Sequence, residues 1–173
     1  CTGYYDGTVT SELVEYYRAR SGSIGTIIVE CCFVDDLGLA FPGAIGIDND
    51  EKIAGLAKIA EAIKSKGSKA LLQIYHGGRM VDPKLIGGRT PVGPSAVAAP
   101  RDGAATPVAL TAEEVEGMIG KFGEAVRRAI QAGFDGVEIH GANTYLIQQF
   151  YSPNSNQRDD EWGGSRDNRA KFP

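Results

Sequence analysis

The length, composition and charge of the chain limit its class before any motif is considered. Its 173 residues are enough for one domain with a hydrophobic core, and an apolar content of 42% argues against disorder. The formal net charge is −4 and basic residues do not cluster, so nucleic acid and anionic membrane surfaces are not expected partners. No apolar run approaches the roughly 20 residues that cross a bilayer, so no membrane-spanning segment is expected.

The cysteines and histidines favour a reducing compartment and no metal site. Three cysteines, with Cys31 and Cys32 adjacent, are not a disulfide framework, and no CxxC spacing suggests zinc. Two histidines without clustered carboxylates or thiols are too few to bind a metal. The first residues, from Cys1 onward, also lack the basic and apolar regions of a signal peptide. We therefore expect a cytoplasmic protein.

Three helix-then-strand units follow one another along the chain. Thr10 is suited to cap the first helix, which carries Leu13, Tyr16 and Tyr17 on one face. This helix ends near Gly22, and a strand is predicted at residues 26–30.

The second unit opens with Asp48 and Glu51, whose spacing predicts a capping box. Gly67 suits the left-handed position that ends a helix, and a strand is predicted at residues 70–74. The apolar positions between these signals have helical spacing: Ile53, Leu56, Ala57, Ala60 and Ile63.

The third unit has the clearest helix start, because Thr111 and Glu114 repeat the capping-box pattern. Gly133 ends the predicted helix, and a strand follows at residues 136–140. The apolar face of this helix is formed by Val115, Met118, Ile119, Phe122, Val126, Ala129 and Ile130.

Apolar strands that alternate with helices predict an α/β fold with a parallel sheet buried on both faces. Two architectures fit, an open doubly wound sheet and a (β/α)8 TIM barrel. No GxGxxG motif follows any strand, which weakens the dinucleotide-binding form of the open sheet. The strands end in Glu30, Gln73 and His140, and polar residues at strand ends build the active site of a barrel. Open sheets bind ligands at the same strand ends, so the residues alone leave the choice open.

The segment at residues 75–110 is rich in Gly and Pro and is too long for an ordinary strand-to-helix loop. It is either a surface excursion or a loop folded over the active-site face. Because long loops in compact domains are usually functional or disordered, we favour the second interpretation.

Two motifs give the chain a resemblance to a known family. QIYHGGR at residues 73–79 and EIHGANTYLIQQFYSPNSNQRDDEWGGSRDNR at residues 138–169 are similar to the third-strand and active-site segments of old yellow enzymes. That family is a (β/α)8 barrel that binds FMN, oxidises NADH or NADPH and reduces the activated C=C bond of α,β-unsaturated carbonyl or nitro compounds. The resemblance implies that residues 1–173 form a single domain, the N-terminal-half fragment of such a barrel with strands two to four.

The resemblance also implies three catalytic residues. His140 and Asn143 would bind the substrate oxygen, where two fixed donors stabilise the charge that develops during reduction. Tyr145 would donate a proton to Cα, since a phenol with the ordinary pKa near 10 is protonated at neutral pH.

The flavin contacts are implied in the same way. Gln73 would hydrogen-bond the pyrimidine edge of FMN, because an amide offers both a donor and an acceptor. Cys31, placed just after its strand, would approach the flavin through its backbone, and His140 would contact the flavin as well. Arg79 is expected to have a structural or subunit-contact role. A hydrogen-bonded loop is expected to hold Tyr145 in place through Asn156, Arg158, Asp160, Trp162 and Asn168.

The expected function is therefore that of an FMN-dependent enzyme acting on a small-molecule, enone-type substrate. The old yellow enzyme family often forms dimers or tetramers, which leaves a homo-oligomer open. Two alternatives remain at this stage. One is a flavoenzyme resembling 2,4-dienoyl-CoA reductase with an additional iron–sulfur module, which the His-x-x-Asn pair disfavours. The other is a half-barrel that is not catalytic in isolation.

Overall fold

The computed structural model describes residues 2–173, which form two compact units. The first unit contains the described residues of Cys1–Asp35, together with Pro42–Ile74 and Lys121–Ile139. The second unit contains Asp36–Phe41, Tyr75–Gly120 and His140–Pro173.

The described residues contain the three predicted helix-then-strand units, together with two short strands and two short helices that were not predicted. The strands are β1 (Thr26–Phe33), β2 (Lys69–Tyr75), β3 (Val92–Gly93), β4 (Val108–Ala109) and β5 (Gly136–Ile139). The helices are α1 (Ser11–Arg20), α2 (Ile53–Lys64), α3 (Ala112–Gln131), α4 (Leu146–Tyr151) and α5 (Arg166–Arg169). None of the helices within residues 2–173 combines the length and apolarity needed to cross a membrane.

The first unit is built on a three-stranded sheet in which β2 lies between β1 and β5. β2 and β5 are parallel, with Gln73 opposite Glu138 in the ladder. Apolar residues of β1 and β2 are buried with those of the helices in one core, against which Val137 of β5 is partly buried, whereas Ile28 and Ile139 are exposed. The core includes Leu13, Val29, Leu56, Ile63, Leu72 and Ala129. The predicted α/β class with parallel strands is confirmed.

The first strand is longer than its sequence predicts. The predicted strand at residues 26–30 continues to Phe33, because the Phe33 N–H donates to Ile45 O at 3.1 Å and Phe33 O accepts from the Ile47 N–H at 2.9 Å. Cys31 therefore lies within β1, and the prediction that it follows the strand is wrong. The same extension means that Glu30 is not a strand end.

Two predicted helix starts are confirmed. Thr10 Oγ1 accepts a hydrogen bond from the Leu13 N–H at 3.2 Å at the start of α1. At the start of α3, Thr111 Oγ1 accepts from the Glu114 N–H at 3.2 Å, and Glu114 Oε2 accepts from the Thr111 N–H at 2.8 Å. This reciprocal pair is a capping box.

The capping box predicted at Asp48 is wrong. The Asp48 carboxylate instead pairs with the Lys52 ammonium at 2.5 Å. Asn49 is the capping residue, since its Oδ1 accepts from the Glu51 N–H at 3.1 Å and opens a 3₁₀ turn that leads into α2.

The long segment at residues 75–110 has secondary structure of its own in the second unit. It contains two 3₁₀ turns, Gly78–Met80 and Pro83–Ile86, and the strands β3 and β4. These strands pair in parallel, with Val92 opposite Val108. The segment is therefore ordered, and its place over an active-site face stays a prediction.

Candidate active site

Three of the predicted site residues lie together in the second unit, in the six residues that follow β5. The His140 and Tyr145 rings meet edge to face with centroids 4.9 Å apart. Asn143 Nδ2 lies 3.5 Å from His140 Nε2. Asn143 is exposed, whereas His140 and Tyr145 are half-buried. Residues 140–145 thus present an imidazole, an amide and a phenol close together.

The hydrogen bonds of His140 indicate which ring nitrogen carries the proton. The Ala142 N–H donates to His140 Nδ1 at 3.2 Å, which assigns Nδ1 as an acceptor and Nε2 as the ring nitrogen that carries the proton. His140 Nε2 and Asn143 Nδ2 are then both donors. Two donors 3.5 Å apart are suited to bind one oxygen that carries negative charge.

The turn that joins these side chains is strained. Asn143 has φ of 53° and Thr144 has φ of 61°, a left-handed conformation that costs a residue with a side chain roughly 1–2 kcal/mol. The Thr144 N–H donates to Gln148 Oε1, and Thr144 O accepts from Gln149 Nε2 at 2.6 Å. Strain of this kind persists only where surrounding contacts hold it.

Gln149 is a polar residue of the second unit that sequence reasoning missed. Its side chain is 1% exposed, between the buried Leu146 and Phe150 on α4. The signal that could have revealed it is an amide on the apolar face of a short helix, because a buried amide requires partners.

Tyr145 sits at the start of α4 among other rings. Its ring centroid lies 5.3 Å from that of Tyr75, which is fully buried. Tyr75 stacks on Phe41 at 5.7 Å, and its hydroxyl accepts from the Ala40 N–H at 3.1 Å. The Tyr145 ring therefore packs against a buried ring that is itself held by stacking and by a hydrogen bond.

Gln73 and Cys31, the predicted flavin contacts, lie in the first unit. Gln73 Nε2 donates to Glu138 Oε1 at 2.5 Å, which fixes the amide plane. Within residues 2–173, Gln73 Oε1 accepts no hydrogen bond, so the amide retains an acceptor and one N–H for a ligand. This donor set fits the pyrimidine edge of a flavin, which offers both N–H and carbonyl groups.

Cys31 is unsuited to redox chemistry. Burial raises the pKa of its thiol to about 11, so the sulfur is protonated at neutral pH. Residues 2–173 also bring together no three side chains of the types that bind a metal. Cys31 therefore offers a small neutral side chain and its backbone.

The remaining residues of the long motif tie α4 to other parts of the second unit. Asn156 is buried, and its Nδ2 donates to Phe150 O at 2.7 Å and Trp162 O at 2.8 Å. Arg158 pairs with Asp160 and donates to Pro94 O at 3.0 Å. Of these bonds, the one from Asn156 to Phe150 O reaches the carboxyl end of α4, whereas Tyr145 lies at the amino end of that helix.

Arg79 behaves as a structural residue. Its side chain is 8% exposed, and Nη1 donates to Val97 O at 3.2 Å and Ala98 O at 3.0 Å. These bonds join the loop after β2 to the segment before β4 in the second unit.

The comparisons with known proteins identify the family. The family model of the NADH:flavin oxidoreductase / NADH oxidase family matches residues 1–173. The chain belongs to this family. Enzymes of the NADH:flavin oxidoreductase family are NADH-dependent flavoproteins with FMN as cofactor, so the resemblance drawn from the sequence is confirmed.

Two similar relatives are much longer than this chain. The chain is 88% identical over 173 residues to the NADH:fumarate oxidoreductase of Klebsiella pneumoniae (strain 342), covering 100% of this chain and 19% of that protein. It is 62% identical over 172 residues to the NADH:acrylate oxidoreductase of Vibrio harveyi, covering 99% of this chain and 17% of that protein. The chain thus spans less than a fifth of the length of these relatives.

A solved structure supports the fold. The old yellow enzyme homologue from Zymomonas mobilis matches with a TM-score of 0.90 and 35% identity, over 98% of this chain and 50% of that chain. The chain therefore has the α/β fold of part of an old yellow enzyme barrel, as predicted.

Proposed function

We propose that the protein is an FMN-dependent oxidoreductase that uses NADH or NADPH to reduce a C=C bond conjugated to a carbonyl, carboxylate or nitro group. The observation that carries the proposal is the pair of donors on His140 and Asn143, 3.5 Å apart, with the Tyr145 phenol beside them. The names of the two relatives include fumarate and acrylate, which are carboxylates conjugated to a C=C bond and belong to this class. We therefore propose conjugated carboxylic acids as the first substrates to test.

Each side chain has a distinct role in this proposal. Bound FMN would supply the redox chemistry, the transfer of hydride from NADH or NADPH to an alkene carbon. His140 Nε2 and Asn143 Nδ2 bind the substrate oxygen and stabilise the negative charge that develops on it. Tyr145 holds the proton that the neighbouring carbon receives. Gln73 and Cys31 are proposed to contact the flavin ring, through the amide and through the backbone respectively.

The decisive variant is Tyr145→Phe in the full-length holoenzyme. General acid catalysis contributes about 10²–10⁴-fold, so alkene reduction should slow by that factor. The rate at which NADH bleaches the visible flavin absorbance should change little, because no proton from Tyr145 is needed in that step. Stopped-flow absorbance measures the two half-reactions separately.

Tyr151→Phe is the matched control, since Tyr151 is exposed at the end of the same helix. It should leave both half-reactions unchanged. Equal effects of the two substitutions, or none from Tyr145→Phe, would contradict the proposed role of the phenol.

A second candidate function follows from the lengths of the relatives. The chain covers 19% of the Klebsiella protein, so four-fifths of that protein lies outside the match. In this alternative the present residues serve only in the oxidation of NADH, and the alkene is reduced elsewhere in a longer protein. Normal alkene reduction by Tyr145→Phe, combined with slower flavin reduction by His140→Ala, would favour this alternative.

A further inference from the structure

We propose that Gln149 is a positioning residue that holds Asn143 and Tyr145 in their reactive geometry by fixing the strained turn between them. This inference rests on the roles proposed above for Asn143 and Tyr145. The Gln149 side chain donates no hydrogen bond to the side chain of Asn143 or Tyr145. It acts instead through the backbone carbonyl of Thr144, which lies between them.

The amide of Gln149 connects two loops of the second unit. Its Nε2 donates to Thr144 O at 2.6 Å and to Gly77 O at 3.0 Å. Its Oε1 accepts from the Arg79 N–H at 3.1 Å. One buried side chain thus links the turn after β5 to the loop after β2, with both ends of the amide used.

The turn requires such a link because it stores strain. Asn143 and Thr144 both have positive φ, and a relaxed backbone would rotate Asn143 and Tyr145 away from their present positions. The Gln148 side chain also bonds the turn, by accepting from the Thr144 N–H, but among residues 2–173 it bonds no second loop. Gln149 alone of these two helical amides anchors the turn to the 77–79 loop.

The loop after β2 is shaped to receive this amide. A Cβ on Gly78 would lie 2.2 Å from Gln149 Oε1, and Gly78 has φ of 57°. Only glycine therefore suits residue 78 while Gln149 is in place. The Gln149 amide thus occupies the space that a side chain on residue 78 would need.

Two substitutions of similar size, Gln149→Glu and Gln149→Met, remove the hydrogen bonds of the amide in different ways. Gln149→Glu removes the N–H donors and places a carboxylate against the carbonyl oxygens of Gly77 and Thr144, which repel it. Gln149→Met keeps the approximate shape without any hydrogen bond, so the Arg79 N–H and both carbonyls lose their partner. The two variants disturb the turn by different routes, which protects the test against a folding defect in one of them.

The test is a double-mutant comparison in the holoenzyme. Misplacement of reacting groups by about 1 Å costs up to about 10²-fold, so Gln149→Glu and Gln149→Met should slow alkene reduction by roughly 10–100-fold. NADH should still reduce the flavin at nearly the parent rate. In either variant background, Tyr145→Phe should have a much smaller effect than in the parent, because the phenol is already misplaced.

A loss of folded protein cannot reproduce that pattern, since it lowers activity without changing the effect of Tyr145→Phe. Full persistence of the Tyr145→Phe effect in both Gln149 variants would overturn the positioning role. The exposed Gln157→Glu controls for an added negative charge and should alter neither half-reaction.

Hydrogen exchange separates this inference from the proposed function. Peptides covering residues 140–147 should exchange at least about tenfold faster in the Gln149 variants than in the parent and in Gln157→Glu. Unchanged exchange would overturn the inference even if the protein reduces no alkene. Faster exchange without any effect of Tyr145→Phe on the parent would contradict the proposed function and leave the structural coupling standing.

Discussion

Glu30 lies in an environment that disfavours a charged carboxyl group. Its Oε1 is buried without a hydrogen-bond partner among residues 2–173, and the Tyr17 hydroxyl reaches Oε2 at 3.4 Å. Burial raises the pKa of the Glu30 carboxyl in the folded protein. Folding therefore favours the protonated form of this residue.

This shift predicts a pH dependence of stability. Because the folded pKa exceeds that of the unfolded chain, about 4.3, the contribution of Glu30 is fully present below that value and is lost as pH rises through the folded pKa. The glutamine in Glu30→Gln does not titrate. The free energy of unfolding of the parent should therefore fall relative to that of Glu30→Gln as the pH rises from the unfolded to the folded pKa of Glu30. Denaturant unfolding from about pH 4 to pH 8 measures it.

Glu61→Gln is the control, because Glu61 is exposed on α2. Its difference from the parent should not follow the same pH trend. A difference between Glu30→Gln and the parent that stays constant across the range would show that Glu30 does not titrate as described.

At the residue scale, a site residue could be predicted from the sequence when its partners lie close to it along the chain. His140, Asn143 and Tyr145 lie within six residues, so a motif could bring them to notice before the fold was known. Gln149 could not be assigned in this way, because its partners Arg79 and Gly77 are 70 and 72 positions away. Nor could the sequence show the positive φ of Asn143, a conformation that residues other than glycine seldom adopt.

At the scale of the element, the capping box of α3 offers a direct measure of local stabilisation. Replacing an N-cap side chain with alanine typically costs about 0.5–2 kcal/mol, because backbone N–H groups lose an acceptor. Thr111→Ala should lower the free energy of unfolding by this amount, as measured by urea denaturation. Thr106→Ala, at an exposed position before the helix, should change it little. An equal loss in both variants would argue against the cap as the cause.

The elements that were predicted well are those fixed by neighbours in sequence. Thr10 and Thr111 cap their helices through residues three positions away. The extension of β1 to Phe33 escaped prediction because its partners, Ile45 and Ile47, lie on a later segment. Asp48 failed as a cap because the Lys52 ammonium, four residues on, takes its carboxylate.

At the scale of the whole molecule, the proposed contact between Gln73 and the flavin predicts that FMN affinity falls when the amide is removed. Loss of a neutral hydrogen bond costs about 0.5–1.5 kcal/mol, so Gln73→Ala should raise the Kd for FMN by roughly 2–13-fold in the full-length protein. Glu138→Gln, which removes the carboxylate that holds the amide, should weaken FMN binding less. Fluorescence titration of the apoprotein measures both.

Gln157→Ala is the control for this measurement, since Gln157 is exposed in the second unit. It should bind FMN as the parent does. Unchanged affinity in Gln73→Ala would remove Gln73 from the proposed flavin contacts and leave the remaining contacts to be tested.

The ladder between β2 and β5 also affects how the molecule reaches its native state. Gln73 and Glu138 are 65 positions apart, and closing a loop costs entropy that grows with the logarithm of its length. Pairings between distant residues slow folding, whereas α2 and α3 require only local bonds. We therefore expect the helices to form early and the sheet late. Since His140 directly follows β5, its loop would be set only after that late pairing, so recovery of activity after refolding should lag behind recovery of helicity.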